Sequence, residues 1–201
     1  LSKEVEMNGV GLHTGNQVKL KFVPAPINTG FVFVRTDVTP NLKIPADIQY
    51  VTNTDRGTNL EKDGYKIQTS EHVLAALVGM GVDNCFIELD ESESPIMDGS
   101  SKFFVEAIES AGVVEQSERR CEYVVTEIIT YRDEESGSEI TLIPSDTFQV
   151  TTMVDFQTKV LGTQNASMEN ITEFKEEIAP ARTFSFLHEL EMLLENGLIK
   201  G

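Results

Sequence analysis

Cysteine is scarce in this 201-residue sequence, and tryptophan is absent. The two cysteines, Cys85 and Cys121, are too few for a disulfide framework or a cysteine-rich zinc site. No apolar run reaches the roughly 18–20 residues that a membrane-spanning helix needs, and we identify no signal peptide. These absences predict a protein of the reducing cytoplasm without stable membrane insertion, and Cys85, inside the apolar run "NCFIEL", is predicted to be an inert core thiol.

Positive charge is also in short supply. The sequence has 16 basic against 33 acidic residues, for a formal net charge of −17. Such a surface repels phosphate backbones, so nucleic-acid binding is not expected. A chain that is 40% hydrophobic and 24% charged is typical of a folded globular protein. Its length suits one large domain or two small ones.

Alternating apolar and polar residues predict strands in the first third of the chain. In "QVKLKFV", Val18, Leu20 and Phe22 share one face while Lys19 and Lys21 share the other, as in a half-buried strand. A turn in "PAPINTG" leads to a second apolar run. The further strand candidates here are "GFVFVRTD", "ADIQYVTNT" and "YKIQT".

The remainder of the sequence alternates between helical and strand patterns. A helix over residues 71–80, the strand "NCFIEL", an acidic loop "DESESPIMDGS" and a helix "SKFFVEAIESAG" are followed by a polar connector. Strand patterns then return in "EYVVTEIITY", "EITLIP" and "FQVTTMVDF", with "QTKVLGTQNASMEN" as a loop and "RTFSFLHELEMLLENG" as a helix ending at Asn196-Gly197. The order predicts an α+β protein with two units, residues 1–118 and 119–201, the second of them incomplete.

The helix over residues 71–80 carries its ionisable groups, Glu71 and His72, at one end only. A helical wheel places the small residues Ala75, Ala76 and Gly79 below this pair, so another element or a ligand can approach that side closely. Ser70 or Thr69 is expected to cap the helix. The bulky stripe expected to face a core consists of Val73, Leu74, Leu77, Val78 and Met80.

Two interpretations of the Glu71-His72 pair remain open from these residues alone. Glu71 can assist the helix cap beside a partly buried histidine that serves only the fold. Alternatively, His72 is a metal ligand and Glu71 a general base. No second ligand stands at helical spacing, as it does in H-E-x-x-H, so the dipeptide by itself is weak evidence for a metal site.

Four stretches, taken together, resemble the zinc-dependent UDP-3-O-acyl-N-acetylglucosamine deacetylases of lipid A biosynthesis in Gram-negative bacteria. They are "GVGLHTG" (9–15), "TSEHVLAALVGMGVDN" (69–84), "SPIMDGS" (94–100) and "ARTFSF" (181–186). The resemblance implies two similar α+β domains of the ribosomal protein S5 domain 2-like type, with helices sandwiched between sheets. It also implies a UDP-linked acylated amino sugar as substrate, zinc as cofactor and, in some relatives, a fused acyl-carrier-protein dehydratase.

The resemblance also assigns roles to residues that match the family's motifs. His72 matches a zinc ligand, and Glu71 matches the general base. Thr183 matches the threonine that helps to hold the tetrahedral oxyanion, and Phe184 matches a residue lining the substrate path. Thr183 could otherwise simply cap the last helix.

Four further positions are less distinctive. His13 and Asp98 match residues near the site; we expect His13 to contact substrate and Asp98 to play a supporting part. His13 could equally serve its glycine-rich turn, and Asp98, before glycine, could be a turn residue. His188, among glutamates, is predicted to lie on the surface. Asn59 stands where some relatives have a cysteine near the site.

The other elements of a catalytic zinc site are not found in these residues. The resemblance places two further zinc ligands in a His-Lys-x-x-x-Asp helix, and a proton-donating histidine, beyond residue 201. Because catalytic zinc sites usually use three protein ligands, we interpret the sequence as an N-terminal fragment that is inactive alone. The alternative is a non-catalytic binding or assembly module of the same fold. A kinase is disfavoured by the lack of a G-x-x-x-x-G-K-[ST] loop.

Overall fold

The computed structural model describes residues 1–54, 57–195 and 200, with positions 188 and 192–194 described by their backbone alone. It divides into two compact units: Leu1–Glu118 together with Lys175–Gly201, and Arg119–Phe174. The prediction of two domains spanning residues 1–118 and 119–201 stays a prediction. The surface placement predicted for His188 lies outside the described side chains.

The first unit contains most of the regular structure. Its strands are β1 (Val5–Val10), β2 (Gln17–Pro24), β3 (Phe31–Arg35), β4 (Leu42–Pro45), β5 (Val51–Asn53), β6 (Asn59–Lys62), β7 (Tyr65–Ile67) and, after the helix α1 (Glu71–Gly79), β8 (Cys85–Leu89). The helix α2 (Lys102–Ala111) follows. A single 3₁₀ turn, Ile48–Tyr50, precedes β5.

The strands of the first unit form two sheets. The five-stranded sheet has the order β1-β2-β8-β3-β4, in which only β8 and β3 run parallel. The antiparallel sheet β5-β6-β7 ends directly before α1. The mixed content of helices and several sheets agrees with the expected α+β class.

The core lies against one face of the five-stranded sheet. Val18, Leu20 and Phe22 on β2 are buried and the two lysines between them are not, so the alternation predicted from the sequence is confirmed. From α2, Phe104 is buried with its ring edge-on to Phe22, at 6.5 Å between centroids. Such aromatic pairs add to the apolar burial that stabilises a core.

The buried face of α1 differs from the predicted stripe. Val73, Ala76 and Leu77 are buried, whereas Val78 is 46% exposed. The wheel assumed that the bulkiest residues face the core. In the structure α1 also packs against α2, and the small side chain of Ala76 faces inward, which rotates the buried stripe away from Val78.

The second unit consists mainly of two hairpins. They pair β9 (Ile129–Arg132) with β10 (Glu139–Leu142), and β11 (Val150–Asp155) with β12 (Thr163–Met168). The loop predicted over residues 157–170 is therefore wrong in part, because residues 163–168 form β12. β9 is also shorter than the predicted strand from 122 to 131. Polar residues dominate β12, so its pairing depends on backbone hydrogen bonds that propensity does not reveal.

The last helix, α3 (Leu187–Glu195), follows a 3₁₀ turn at Ile171–Glu173 and a π-helical turn at Phe174–Ile178. The sequence predicted a helix here, although its first five predicted residues are not helical. The predicted stop at Asn196-Gly197 lies outside the described residues. Within the described chain, no helix combines the length and the apolar character that crossing a bilayer requires.

The environments of the two cysteines lead to a first prediction. Cys85 on β8 is fully buried, and burial raises the pKa of its thiol to about 12. Cys121 is exposed. At pH 8 we expect iodoacetamide to alkylate Cys121 while Cys85 stays protected until the protein unfolds, since the thiolate is the reactive form. Peptide mass spectrometry with and without urea would check this, and native labelling of Cys85 would contradict the buried placement.

Candidate functional site

The four motifs of the resemblance are connected by backbone hydrogen bonds around residues 92–101. The Ile96 N–H donates to the carbonyl of Val10, at 3.0 Å, and so connects the first motif to the third. Gln68 is held on both sides: its N–H donates to Ser92 at 2.8 Å, and its carbonyl accepts from Ser94 at 3.0 Å. The segment that leads into α1 is thereby joined to the third motif.

The fourth motif joins the same segment from the other side. The Thr183 N–H donates to the carbonyl of Gly99 at 2.8 Å, and the Ser101 N–H donates to the carbonyl of Ala179 at 3.0 Å. Gly99 has a φ of +83°, and a Cβ there would lie 3.3 Å from Cγ2 of Thr183. Glycine at this position suits both the left-handed backbone and the close approach.

Glu71 is half-buried at the start of α1 and is held by the loop before β6. Its Oε2 accepts a hydrogen bond from the Thr58 N–H at 2.9 Å. A Cβ on Gly57 would lie 3.2 Å from Oε1, so the lack of a side chain there lets the backbone come close to the carboxylate. The neighbouring Ser70 occupies the cap position, but its hydroxyl donates to the carbonyl of Thr58 at 2.8 Å.

Ser70 therefore occupies the predicted cap position, but the prediction that its side chain or that of Thr69 caps the helix is wrong. Ser70 makes no side-chain cap hydrogen bond, and the hydroxyl of Thr69 donates to Glu93 at 3.1 Å. Both side chains connect α1 to neighbouring loops. The competition between local and tertiary partners, which the sequence does not show, decides where such hydroxyls go.

His72 is half-buried beside Glu71. Its backbone carbonyl accepts a hydrogen bond from the hydroxyl of Ser101 at 3.0 Å, which ties the start of α1 to the start of α2. Adjacent side chains on a helix diverge by about 100°. The Glu71 carboxylate and the His72 imidazole therefore point in different directions from one fixed helix end.

His13 lies in the turn between β1 and β2, where the Gly15 N–H donates to Gly11 at 2.9 Å. The His13 N–H donates to both carboxylate oxygens of Glu93, at 2.9 and 3.2 Å. Glu93 was not singled out from the sequence, which showed it only as one acid of an acidic loop. No pattern in that loop distinguishes a buried carboxylate from a solvated one.

Asp98 behaves as a turn residue in the structure. It is exposed, and its Oδ1 accepts from the hydroxyl of Ser100 at 2.6 Å and from the Ser100 N–H at 3.1 Å. The Ser100 hydroxyl, with a smaller contribution from the charge of Arg182, lowers the pKa of the Asp98 carboxyl. These contacts stabilise the Asp98-Gly99 turn from which the Gly99 carbonyl meets Thr183.

Thr183 and Phe184 are both exposed. The Phe184 ring packs edge-on to Phe186, with 5.6 Å between centroids. Because α3 begins only at Leu187, the alternative that Thr183 caps this helix is wrong. Asn59, at the position of some relatives' cysteine, is half-buried at the start of β6, paired with Asn53.

The described residues do not complete a metal site. Among them, no three histidine, cysteine, aspartate or glutamate side chains converge to hold an ion. His72 offers one nitrogen donor and Glu71 one carboxylate, which is fewer than the three protein ligands of a catalytic zinc site. These residues therefore provide at most part of the ligand set of such a site.

The contact between Gly57 and Glu71 gives a second prediction. Gly57→Ala would place a methyl group 3.2 Å from Oε1, so the carboxylate would have to shift slightly and its hydrogen bond with the Thr58 N–H would weaken. If Glu71 is the base, the full-length protein should lose about tenfold in hydrolysis rate, the value of roughly one hydrogen bond. As a control, the same change should have no further effect in a Glu71→Gln background. Equal losses in both backgrounds would contradict an effect through Glu71.

Comparison with known proteins finds the same deacetylase family that the four motifs resemble, and the match extends along the whole chain. The sequence model described as UDP-3-O-acyl N-acetylglycosamine deacetylase matches residues 1–201. The chain is 44% identical to the Bifunctional enzyme LpxC/FabZ of Chlorobaculum tepidum, covering 100% of this chain and 43% of that protein. It is 42% identical to the UDP-3-O-acyl-N-acetylglucosamine deacetylase of Chromohalobacter salexigens, covering 100% of this chain and 67% of that protein.

A further relative is the UDP-3-O-acyl-N-acetylglucosamine deacetylase of Myxococcus xanthus, 41% identical over 100% of this chain and 64% of its own length. The chain thus spans between 43% and 67% of the length of these three relatives. The whole chain matches the same model, and the four motifs meet around residues 92–101. The chain belongs to the UDP-3-O-acyl N-acetylglycosamine deacetylase family.

Proposed function

We propose that this chain is the N-terminal part of a zinc-dependent amidohydrolase. The enzyme removes acetate from UDP-3-O-(3-hydroxyacyl)-N-acetylglucosamine in lipid A biosynthesis, in the cytoplasm of a Gram-negative bacterium. The observation that carries the proposal is the placement of Glu71: a half-buried carboxylate at a helix start, oriented by the Thr58 N–H and adjacent to His72. Family membership supplies the substrate class.

Glu71 is proposed as the general base. Hydrolysis of an amide needs a water molecule whose proton is removed as it attacks the carbonyl carbon. With Oε2 accepting from Thr58, the Glu71 carboxylate is held in one orientation, and its Oε1 has no hydrogen bond among the described residues. An oriented carboxylate with an available oxygen suits proton transfer from a bound water, because positioning contributes as much as basicity.

His72 is proposed as one zinc ligand, with the other ligands contributed by residues beyond position 201. When bound, zinc polarises water and the substrate carbonyl. The protein's part is to fix the imidazole. The Ser101 hydroxyl holds the His72 backbone, and the buried Val73 and Leu77 anchor the helix that carries it.

The remaining roles follow the motifs. Thr183 would donate its hydroxyl to the oxygen on which charge develops, a contribution that is large when the donor is fixed in advance. The backbone hydrogen bond from Thr183 to Gly99 fixes this residue. Phe184, 59% exposed, offers an apolar ring to the acyl chain, and His13 offers an imidazole to polar parts of the substrate.

Two larger-scale features belong to the same proposal. The full-length protein would contain two similar α+β domains of the ribosomal protein S5 domain 2-like type, with helices sandwiched between sheets. It could also carry a fused acyl-carrier-protein dehydratase domain, in line with relatives named as bifunctional enzymes.

The test is acetate release from the UDP-linked acylated sugar by the full-length protein. We expect turnover that a zinc chelator abolishes and added zinc restores. The 201-residue chain alone should be inactive, because its described residues do not bring together the three protein ligands that a catalytic zinc site uses. Binding of the substrate without acetate release, in a zinc-loaded full-length protein, would instead favour a non-catalytic module of the same fold.

A further inference from the structure

We infer that Glu93 is a positioning residue, which fixes the His13 loop (residues 11–15) against the segment that leads into α1. Its effect on catalysis rests on the proposed function, since it is exerted through His13 on the bound substrate. Its effect on the loop depends only on the contacts described below. Glu93 itself reaches no reacting group.

Glu93 is a fully buried carboxylate, with 0% of its surface exposed. Among the described residues, no lysine or arginine forms an ion pair with it. A buried carboxylate is costly unless hydrogen bonds satisfy its charge. Here backbone N–H groups and hydroxyls provide that compensation, and they come from two separate segments of the chain.

Both carboxylate oxygens accept hydrogen bonds. Oε1 accepts from the His13 N–H at 2.9 Å and from the Thr69 hydroxyl at 3.1 Å. Oε2 accepts from the Thr14 N–H and from the Thr14 hydroxyl, both at 2.8 Å. The His13 N–H is also within 3.2 Å of Oε2. One carboxylate therefore bridges the His13 loop and Thr69, two residues before Glu71.

The surrounding backbone is built to admit this carboxylate. A Cβ on Gly11 would lie 2.5 Å from Oε2 of Glu93, so a side chain at this position would force the carboxylate or the loop to shift. Thr69 has a φ of +56°, an unfavourable conformation for a β-branched residue. The contacts around Thr69 hold it in this conformation. Such backbone strain persists where the surrounding structure fixes the local geometry.

These features favour a role in geometry over one in stability alone. Well-packed apolar side chains often stabilise a core as well as buried charges do, so a buried carboxylate is a poor choice for stability. The two segments that Glu93 bridges carry the residues proposed to contact substrate, His13, and to activate water, Glu71. Directional hydrogen bonds to a carboxylate can fix the distance between these two segments, whereas an apolar contact cannot.

The experiment compares Glu93→Gln with the wild type in the full-length protein. Glutamine keeps the shape but turns an NH₂ group toward N–H and O–H donors. We expect amide hydrogen exchange at residues 13 and 14 to accelerate by about tenfold or more, the effect of losing hydrogen bonds to a charged acceptor. KM should rise about tenfold while kcat and zinc content change little, as loss of substrate binding predicts.

Glu91→Gln is the matched control. It also removes one negative charge, two positions away, where among the described residues Glu91 accepts only an exposed hydrogen bond from the Asn16 amide at 3.2 Å. Its exchange and kinetics should match the wild type. If Glu93→Gln does not fold, Thr14→Val removes one of the donors without changing side-chain shape, and should give a smaller change of the same kind.

A double-mutant cycle with His13→Ala identifies the route of the effect. If Glu93 acts through His13, adding Glu93→Gln to His13→Ala should raise KM no further, whereas independent effects would add. Additive effects, or unchanged exchange at residues 13 and 14, would overturn the inference. A wild-type protein without deacetylase activity would overturn the proposed function instead, and the exchange data would still decide whether Glu93 holds the loop.

Discussion

Glu71→Gln is expected to lower the deacetylase kcat of the full-length protein by about a thousandfold, in line with the usual contribution of a general base. Glutamine cannot accept the proton of the attacking water. Its carbonyl oxygen can, however, still accept the hydrogen bond that the Thr58 N–H donates at 2.9 Å. The variant therefore changes the chemistry of the side chain while keeping its position.

The measurement combines initial rates of acetate release with the zinc content of the same samples. Glu106→Gln, on the exposed side of α2, is the control for loss of one negative charge, because in the described part of the chain Glu106 pairs only with Lys102. Glu71→Asp keeps the carboxylate but withdraws it from Thr58, and should retain an intermediate rate. A Glu71→Gln enzyme with a wild-type kcat would remove the assignment of the base; one that has lost its zinc would reassign Glu71 as a ligand.

The parts of the fold that follow from local pattern could be predicted from the sequence. β2 alternates buried apolar residues with lysines, and its placement was evident because a half-buried strand requires that period. β12 was missed for the opposite reason. Its polar residues carry no such period, and only pairing with Val150–Asp155 makes them a strand. Pairing between segments is a property of the folded chain, not of either segment.

In the candidate site, too, some residues could be predicted from the sequence and others could not. Glu71 and His72 stood out because an otherwise uncharged helix had its ionisable groups at one end. Glu93 did not stand out, because its burial depends on the His13 loop and on Thr69, both distant in sequence. The hydroxyl of Ser70 was expected to cap α1, but the carbonyl of Thr58 competes for it. Charge type is visible in a sequence, whereas the partners of a charge or hydroxyl are set by tertiary structure.

His72→Ala is expected to weaken zinc binding by the full-length protein by more than about 100-fold, because even the loss of an outer partner of a metal ligand costs 10- to 100-fold. The fold should survive. The buried side chains of Val73, Ala76 and Leu77 keep α1 packed, and the Ser101 hydroxyl donates to the backbone carbonyl of residue 72, which alanine retains. Loss of the metal would then reflect loss of the imidazole and not of the helix.

His13→Ala provides the matched comparison, since it deletes an imidazole that is proposed to contact substrate and not metal. We expect this variant to keep its zinc and to lose activity mainly through KM, while His72→Ala loses both zinc and kcat. Zinc content by elemental analysis after dialysis, together with circular dichroism, would separate these cases. Normal zinc in His72→Ala would show that the helix start serves the fold only. An equal loss of zinc in the two variants would mean that His13 is also a metal ligand. The contacts of His13 with Glu93 involve its backbone N–H and do not call for such a role.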